Sequence, residues 1–303
     1  MSGRKKNVVM KRLINLSLMA ALVLPTAGCS VKEIRENCLA PVSVHISGFS
    51  ISQEEFPATK TDPVSPATYD AVNAITLAFY TSDGTEQYKA TQLKSDNTTY
   101  TTFGNFSLSL PIDRYTLVAI AHTTKDGSPF TLTSPTEAAY TGDHAYETFV
   151  CTQDVDITSA SAVEISATLD RIITQLKVVS TDGKAANVSK MRMTLSAGGK
   201  SFNPSTGLAL SNSGFTNTVN VSGEAGATTI CSTMFFLATD EQSMNVTIET
   251  LDADGNILYS KTVNNVTFQR NRVTRLSGPL YASSAASSLL LNTVWITQQN
   301  VSF

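Results

Sequence analysis

Short runs of alternating apolar and polar residues, separated by turn signals, constrain this chain more than any other feature. Val42, Val44 and Ile46 alternate with polar residues, and the same period of two recurs along the chain. Strict alternation is the signal of a half-buried strand, and a pair such as Asp83-Gly84 between two such runs is a strong hairpin signal. No segment sustains the 3.6-residue period of a helix. We therefore predict an all-β protein.

The order of strands and turns predicts two consecutive antiparallel β-sandwich domains. Near residue 160 the pattern restarts, and AITLAFYTSDG at 74–84 is echoed by ITQLKVVSTDG at 173–183. Many short strands with regularly spaced turn signals are typical of sandwiches. With 303 residues and 42% apolar content, the chain is long enough for two cores. We place the N-terminal sandwich at 41–160 and the C-terminal sandwich at 161–281.

The first 28 residues are interpreted as an export signal. Five basic residues accompany a short apolar stretch that ends in small residues, which is the pattern of a secretory signal peptide. The last residues, Thr26-Ala27-Gly28-Cys29, resemble a bacterial lipobox, although Thr26 stands where leucine is usual. The resemblance implies removal of 1–28 and attachment of acyl chains to Cys29, followed by a tether at 29–40. Ordinary export with a free Cys29 is the alternative.

The charge of the chain argues against nucleic acid as a partner. The whole chain has a net charge of −3, and loss of 1–28 would leave 17 basic against 25 acidic side chains. Phosphate binding favours clusters of basic residues, which a mildly acidic chain does not offer. Arg270, Arg272 and Arg275 are the only basic concentration after the signal, and we interpret them as a solvated hairpin surface.

Cysteines and catalytic motifs give no sign of enzymatic chemistry. With Cys29 assigned to lipid, Cys38, Cys151 and Cys231 remain, and an oxidising compartment would allow one disulfide among them. Their pairing stays open, as does the alternative that all three are small buried side chains. The sequence lacks the spacing of a zinc site and motifs such as G-x-S-x-G or H-E-x-x-H. We therefore predict a protein that is not an enzyme and uses no cofactor or metal.

Four segments carry a resemblance to a known family: ENCLAPVSVHISGF (36–49), FSLSLPIDRYTLVAIA (106–121), ATLDRIITQLKV (167–178) and NVTFQRNRVTRLSGPLY (265–281). They resemble the fimbrillin superfamily of Bacteroidales (type V) pili. The resemblance implies two transthyretin-like β-sandwich domains and a lipid-anchored fimbrial subunit on the outer membrane. It also implies other fimbrial subunits as partners, a contribution to adhesion, and a host or bacterial surface ligand. The opening at 36–49 is similar to the anchor and tip branch.

The same resemblance implies a mode of assembly. In shaft subunits a protease cuts after an arginine that follows the first strand, and the C-terminal strand of a neighbour fills the opened groove by strand addition. Here no arginine lies between Arg35 and Arg114, and Lys60 is the basic residue of the loop after the first strand. This departure favours an anchor or accessory subunit that keeps its lipid. Cleavage at Lys60 or Arg35 is the alternative.

The tail at 282–303 is predicted to be a linker and a strand exchanged between subunits. A run of Ala and Ser follows Tyr281, and a strand returning to its own sheet would not need such a linker. The alternative is pairing with the chain's own second sheet, because sequential strands usually pair locally. The predicted donor residues alternate along the tail and are Leu289, Leu291, Val294, Trp295, Ile296, Val301 and Phe303.

Two other functions compete with a fimbrial role. A glycan-binding surface lipoprotein of a polysaccharide-uptake system would display aromatic platforms, whereas this chain has one tryptophan, Trp295, and nine scattered tyrosines. A surface hydrolase would need a nucleophile and a base, and no such pair can be placed.

Overall fold

The computed structural model describes residues 38–50, 63–96, 98–125, 129–281 and 290–293. Every regular element in these ranges is a β-strand, which confirms the predicted all-β class. None of the described residues belongs to a helix that is long and apolar enough to span a membrane.

Nineteen strands follow one another in the part of the chain that the structure describes. The first nine are β1 (Leu39–Ser50), β2 (Ala74–Thr81), β3 (Glu86–Leu93), β4 (Asn105–Pro111), β5 (Arg114–His122), β6 (Phe130–Ser134), β7 (Glu137–Tyr140), β8 (Thr148–Asp156) and β9 (Val163–Arg171). The others are β10 (Thr174–Ser180), β11 (Lys190–Leu195), β12 (Ser201–Asn203), β13 (Leu208–Ala209), β14 (Phe215–Asn220), β15 (Ile230–Phe235), β16 (Glu241–Leu251), β17 (Ile257–Gln269), β18 (Val273–Gly278) and β19 (Leu290–Thr293).

The first half is one seven-stranded sheet folded around a core. Its strand order is β3-β2-β5-β8-β9-β1-β4, and β8 meets β9 through Phe149 opposite Arg171 and Val150 opposite Asp170. At this short junction the sheet turns into two layers, β3-β2-β5-β8 and β4-β1-β9. Val44 and Leu77 from opposite layers are buried in the same core, because the period of two places every second side chain inward.

The second half consists of two four-stranded sheets around a second core. Their strand orders are β15-β10-β18-β19 and β14-β11-β16-β17. Met191 and Met193 of β11 are buried in this core, as their alternation predicts. The predicted Asp83-Gly84 hairpin is present, and Asp254-Gly255 forms another, since Gly84 and Gly255 have φ of 84° and 91° between paired strands. Glycine takes this left-handed conformation without steric cost.

The two halves have the same strand arrangement. The layers β3-β2-β5-β8 and β14-β11-β16-β17 correspond strand by strand, as do β4-β1-β9 and β15-β10-β18. In both halves the first strand pairs parallel with the last, β1 with β9 and β10 with β18. The sequence similarity between 74–84 and 173–183 does not follow this repeat, because it aligns β2 with β10, whereas the structural equivalent of β2 is β11. The similarity is between the ends of two strands that are not equivalent.

The crossing from the first sheet to the second lies between β9 and β10, later than the predicted boundary at 160. β9 was assigned to the segment 161–281, but it pairs with β1 and β8 in the first sheet. Its alternation is the same as that of any half-buried strand, and periodicity does not reveal which sheet a strand joins. At the other end, β1 begins at Leu39, within the predicted tether at 29–40.

A small fourth sheet joins the two halves. The β6-β7 hairpin interrupts the repeat in the first half and β12-β13 interrupts it in the second, and Phe202 of β12 pairs with Ala138 of β7. This sheet covers the outer face of β2 and β5, where Tyr80 and Val118 are buried with Phe202 and Phe236. The predicted halves therefore share a hydrophobic core, which argues against their independent folding.

Candidate assembly strands

The described part of the C-terminal tail lies in the chain's own second sheet. Leu290–Thr293 pairs antiparallel with β18, with Leu291 opposite Leu276. This placement corresponds to the alternative in which the tail returns to its own sheet. Of the predicted donor residues, Leu291 falls within the described residues through its backbone. The others lie outside them: Leu289, Val294, Trp295, Ile296, Val301 and Phe303.

The point from which the tail departs is fixed by Asp182. Its carboxylate accepts hydrogen bonds from the backbone N–H groups of Leu280 and Tyr281, both at 2.7 Å. Charge-assisted bonds of this kind are short and strong. Asp182-Gly183 lies between β10 and β11, which belong to different sheets, so it is not a hairpin turn. The sequence alone did not reveal this role for Asp182.

The first strand occupies the centre of its layer. β1 pairs antiparallel with β4 and parallel with β9, and its inward residues are fully buried. Its end is held by Phe49, which exchanges two backbone hydrogen bonds with Val64 and stacks on Phe149 at 4.6 Å between ring centroids. The predicted cleavage positions Arg35 and Lys60 lie outside the described residues.

A buried ion pair lies beside this aromatic cluster. Arg171 Nε is 2.6 Å from Glu147 Oε1, and the two side chains are 9% and 8% exposed. The Tyr69 hydroxyl donates to Glu147 at 3.3 Å and accepts from Arg171 Nη2 at 2.6 Å. Burial raises the pKa of Glu147, and the charge of Arg171 opposes that rise. Periodicity gave no signal for this pair, whose members come from β9 and the segment before β8.

Two of the three cysteines considered for a disulfide are free thiols. Cys151 is half-buried and Cys231 is buried, and burial raises the pKa of Cys231 to about 11. Cys38 is disulfide-bonded. A Cys29 that carries lipid on its sulfur could not be its partner, so the lipid attachment expected from the lipobox requires a reduced Cys38. The bridge that the sequence allowed among Cys38, Cys151 and Cys231 is not formed, because Cys151 and Cys231 both keep their thiols. A raised pKa makes Cys231 a poor nucleophile, in keeping with a small core side chain.

One of the three clustered arginines near β18, Arg270, forms an ion pair and a hydrogen bond within the protein. Arg270 Nη2 lies 2.8 Å from Asp240 Oδ1, and Nη1 donates to the Thr206 carbonyl oxygen at 2.8 Å. Asn271 has a φ of 59°, the left-handed conformation of a turn residue between β17 and β18. The guanidinium of Arg270 thus connects the turn after β17 to the β12-β13 turn.

A polar cleft of about 470 Å³ lies where the two halves meet. Thr168, Asp170, Thr206, Arg270 and Asn271 contribute to its walls. The described residues that line it include no aromatic ring, so the cleft lacks the stacking platform expected of the glycan-binding alternative. In the part of the chain that the structure describes, no group of three or more His, Cys, Asp or Glu side chains could hold a metal ion.

Comparison with known proteins gives one family and several similar folds. The model of a family of unknown function, DUF6562, matches residues 48–300. The fimbrial anchor protein Mfa2 from Porphyromonas gingivalis has a TM-score of 0.50 and 11% identity, over 84% of this chain and 95% of that one. A candidate adhesin from Bacteroides ovatus also has a TM-score of 0.50 and 11% identity, over 78% and 87%. No curated protein matches the chain.

Proposed function

The chain belongs to DUF6562, a family of unknown function, and from this premise we propose that it is a non-enzymatic subunit of a surface fimbria. In this proposal a lipid on Cys29 anchors it in the outer membrane, a strand is exchanged with other fimbrial subunits, and the assembly contributes to adhesion. The observation that carries the proposal is the likeness of its fold to a fimbrial anchor protein over most of both chains.

The internal repeat supports this proposal independently of that likeness. Both halves have the same two-layer strand order. In the second half, β19 completes the sheet beside β18 after a long linker. A strand joined by a long linker can make the same backbone hydrogen bonds with another copy, which is the physical basis of exchange between identical subunits.

Electron microscopy of surface fibres with and without this chain tests the fimbrial role. We expect loss of the fibres, or their release from the cell, when the chain is absent. Re-expression of the full chain should restore them. Fibres that are unchanged in number and attachment would contradict the proposal.

Replacement of Cys29 by serine should move the protein from the membrane to the soluble fraction. Acyl chains stabilise membrane attachment by about 0.8 kcal/mol per buried CH₂, and two or more chains hold a protein stably. Fractionation and the mass of the N-terminal peptide are the measurements, with Cys151→Ser as the control that should stay at the membrane. A Cys29 sulfur found in a disulfide instead of carrying a lipid would contradict the proposal.

Deletion of residues 286–303 should abolish subunit–subunit complexes and leave a folded monomer. The deletion removes β19 and all seven predicted donor residues, whereas deletion of 294–303 keeps β19 and tests whether the donor residues from Val294 onward are needed. Size-exclusion chromatography and circular dichroism report assembly and folding separately. A truncated chain that no longer folds would show that the tail belongs to its own core.

A further inference from the structure

We propose that the edge of β9 opposite β1, for which the described residues supply no strand partner at 163–169, is a second strand-accepting site, which takes Leu290–Thr293 of another copy in antiparallel orientation. This inference rests on the strand exchange in the proposed function and names an acceptor for it. It requires no removal of β1, because the edge lies on the opposite side of β9.

The strand equivalence between the two halves identifies this edge. β18 pairs with β10 on one side and, through Thr274–Ser277, with β19 on the other. β9 occupies the same place in the first half and pairs with β1. On the side of β9 away from β1, the described residues supply strand-pairing partners, from β8, for Asp170 and Arg171 alone. The stretch at 163–169 therefore has the position that β19 fills in the second half.

The stretch at 163–169 alternates buried and exposed side chains, as a strand at an extendable sheet edge does. Ile165 and Ala167 face the core and are buried, while Glu164 and Ser166 are exposed. It contains neither proline nor lysine, two residues that commonly protect an edge strand from pairing. An added strand would form backbone hydrogen bonds along one side of β9 and extend the β4-β1-β9 layer.

The C-terminal strand is the occupant for which the molecule itself gives evidence. Leu290–Thr293 already pairs antiparallel with β18, the equivalent of β9. The segment at 282–289 can span about 28 Å when extended, at 3.3–3.6 Å per residue. Connections between adjacent antiparallel strands usually have 2–5 residues. The longer linker permits Leu290–Thr293 to reach a sheet of a neighbouring molecule.

Cysteine cross-linking between two co-expressed full-length variants tests the inference. One copy carries Ser166→Cys on the exposed face of β9, and a differently tagged copy carries Asn292→Cys on β19. We expect a covalent dimer whose linkage maps to these two positions by peptide mass spectrometry. The matched control replaces Ser166→Cys by Thr218→Cys, an exposed position on edge strand β14, and should give no such dimer.

A second pair separates this inference from the proposed exchange. Arg275 lies opposite Asn292 in the β18-β19 register, and Arg275→Cys on one copy with Asn292→Cys on the other reports exchange at β18. Linkage at Arg275 without linkage at Ser166 would support exchange and overturn the β9 site. Linkage at Ser166 supports the β9 site. A third variant carries Arg275→Cys and Asn292→Cys on the same chain. If these two cysteines join within that chain and neither intermolecular linkage forms, the tail stays in its own sheet and both proposals are wrong.

Discussion

Replacement of Glu147 by alanine is expected to destabilise the protein by about 3–5 kcal/mol, because it leaves the charge of Arg171 buried without its carboxylate. The two side chains are less than one tenth exposed and lie 2.6 Å apart. The change also removes the acceptor of the Tyr69 hydroxyl. Chemical denaturation monitored by fluorescence and circular dichroism would measure the free energy of unfolding.

The matched control is the exposed ion pair between Arg114 and Asp156. Its side chains are 81% and 52% exposed, with 3.3 Å between Nε and Oδ2. Exposed pairs contribute about 0–1 kcal/mol, so Asp156→Ala should change the free energy of unfolding far less than Glu147→Ala. Equal losses in the two variants would show that burial of the Glu147–Arg171 pair does not set its importance.

Replacement of Phe202 by alanine is expected to cost about 3–5 kcal/mol, the range for a large aromatic side chain removed from a core. Phe202 is fully buried, and its ring centroid lies 4.5 Å from that of Phe236. Because the surrounding cluster includes residues of both halves, the loss should lower the stability of both. Tryptic release of peptides from each half during denaturant titration would measure this coupling.

Leu210→Ala provides the control for that experiment. Leu210 is 50% exposed and follows β13 in the same insertion, and substitutions at such surface positions usually stay within about 0.5 kcal/mol. We expect the unaltered protein to unfold in one transition in which both halves participate. Two separated transitions, with only the second half sensitive to Phe202→Ala, would contradict a shared core.

The sequence predicted local structure well and the partners of strands poorly. Alternation at Val42, Val44 and Ile46 identified β1, and Asp83-Gly84 identified the first hairpin, because both signals arise within a few residues. The assignment of β9 to the second half failed because its neighbours lie far away in sequence. Val44 pairs with Ile165, and no local pattern encodes that choice.

The same distinction applies to the candidate site. The linker after Tyr281 and the strand beyond it were visible as a change in composition and a return of alternation. The role of Asp182 in holding Leu280 and Tyr281 was not visible, because an acidic residue before glycine is read first as a turn. Pairing between the two insertions was equally hidden, since β7 and β12 meet only in the folded chain.

The central position of β1 determines how the protein would respond to mechanical force. Tension applied to the chain before Leu39 would pull β1 along its own axis. The rows of backbone hydrogen bonds that join β1 to β4 and to β9 extend along the direction of that pull. The force would therefore act on them in shear. Many backbone hydrogen bonds would then have to break together, whereas an edge strand peeled from its end loses them one at a time. The fold thus places a strongly shear-resistant connection next to the N-terminal segment that holds Cys29, where the proposed lipid would attach the protein.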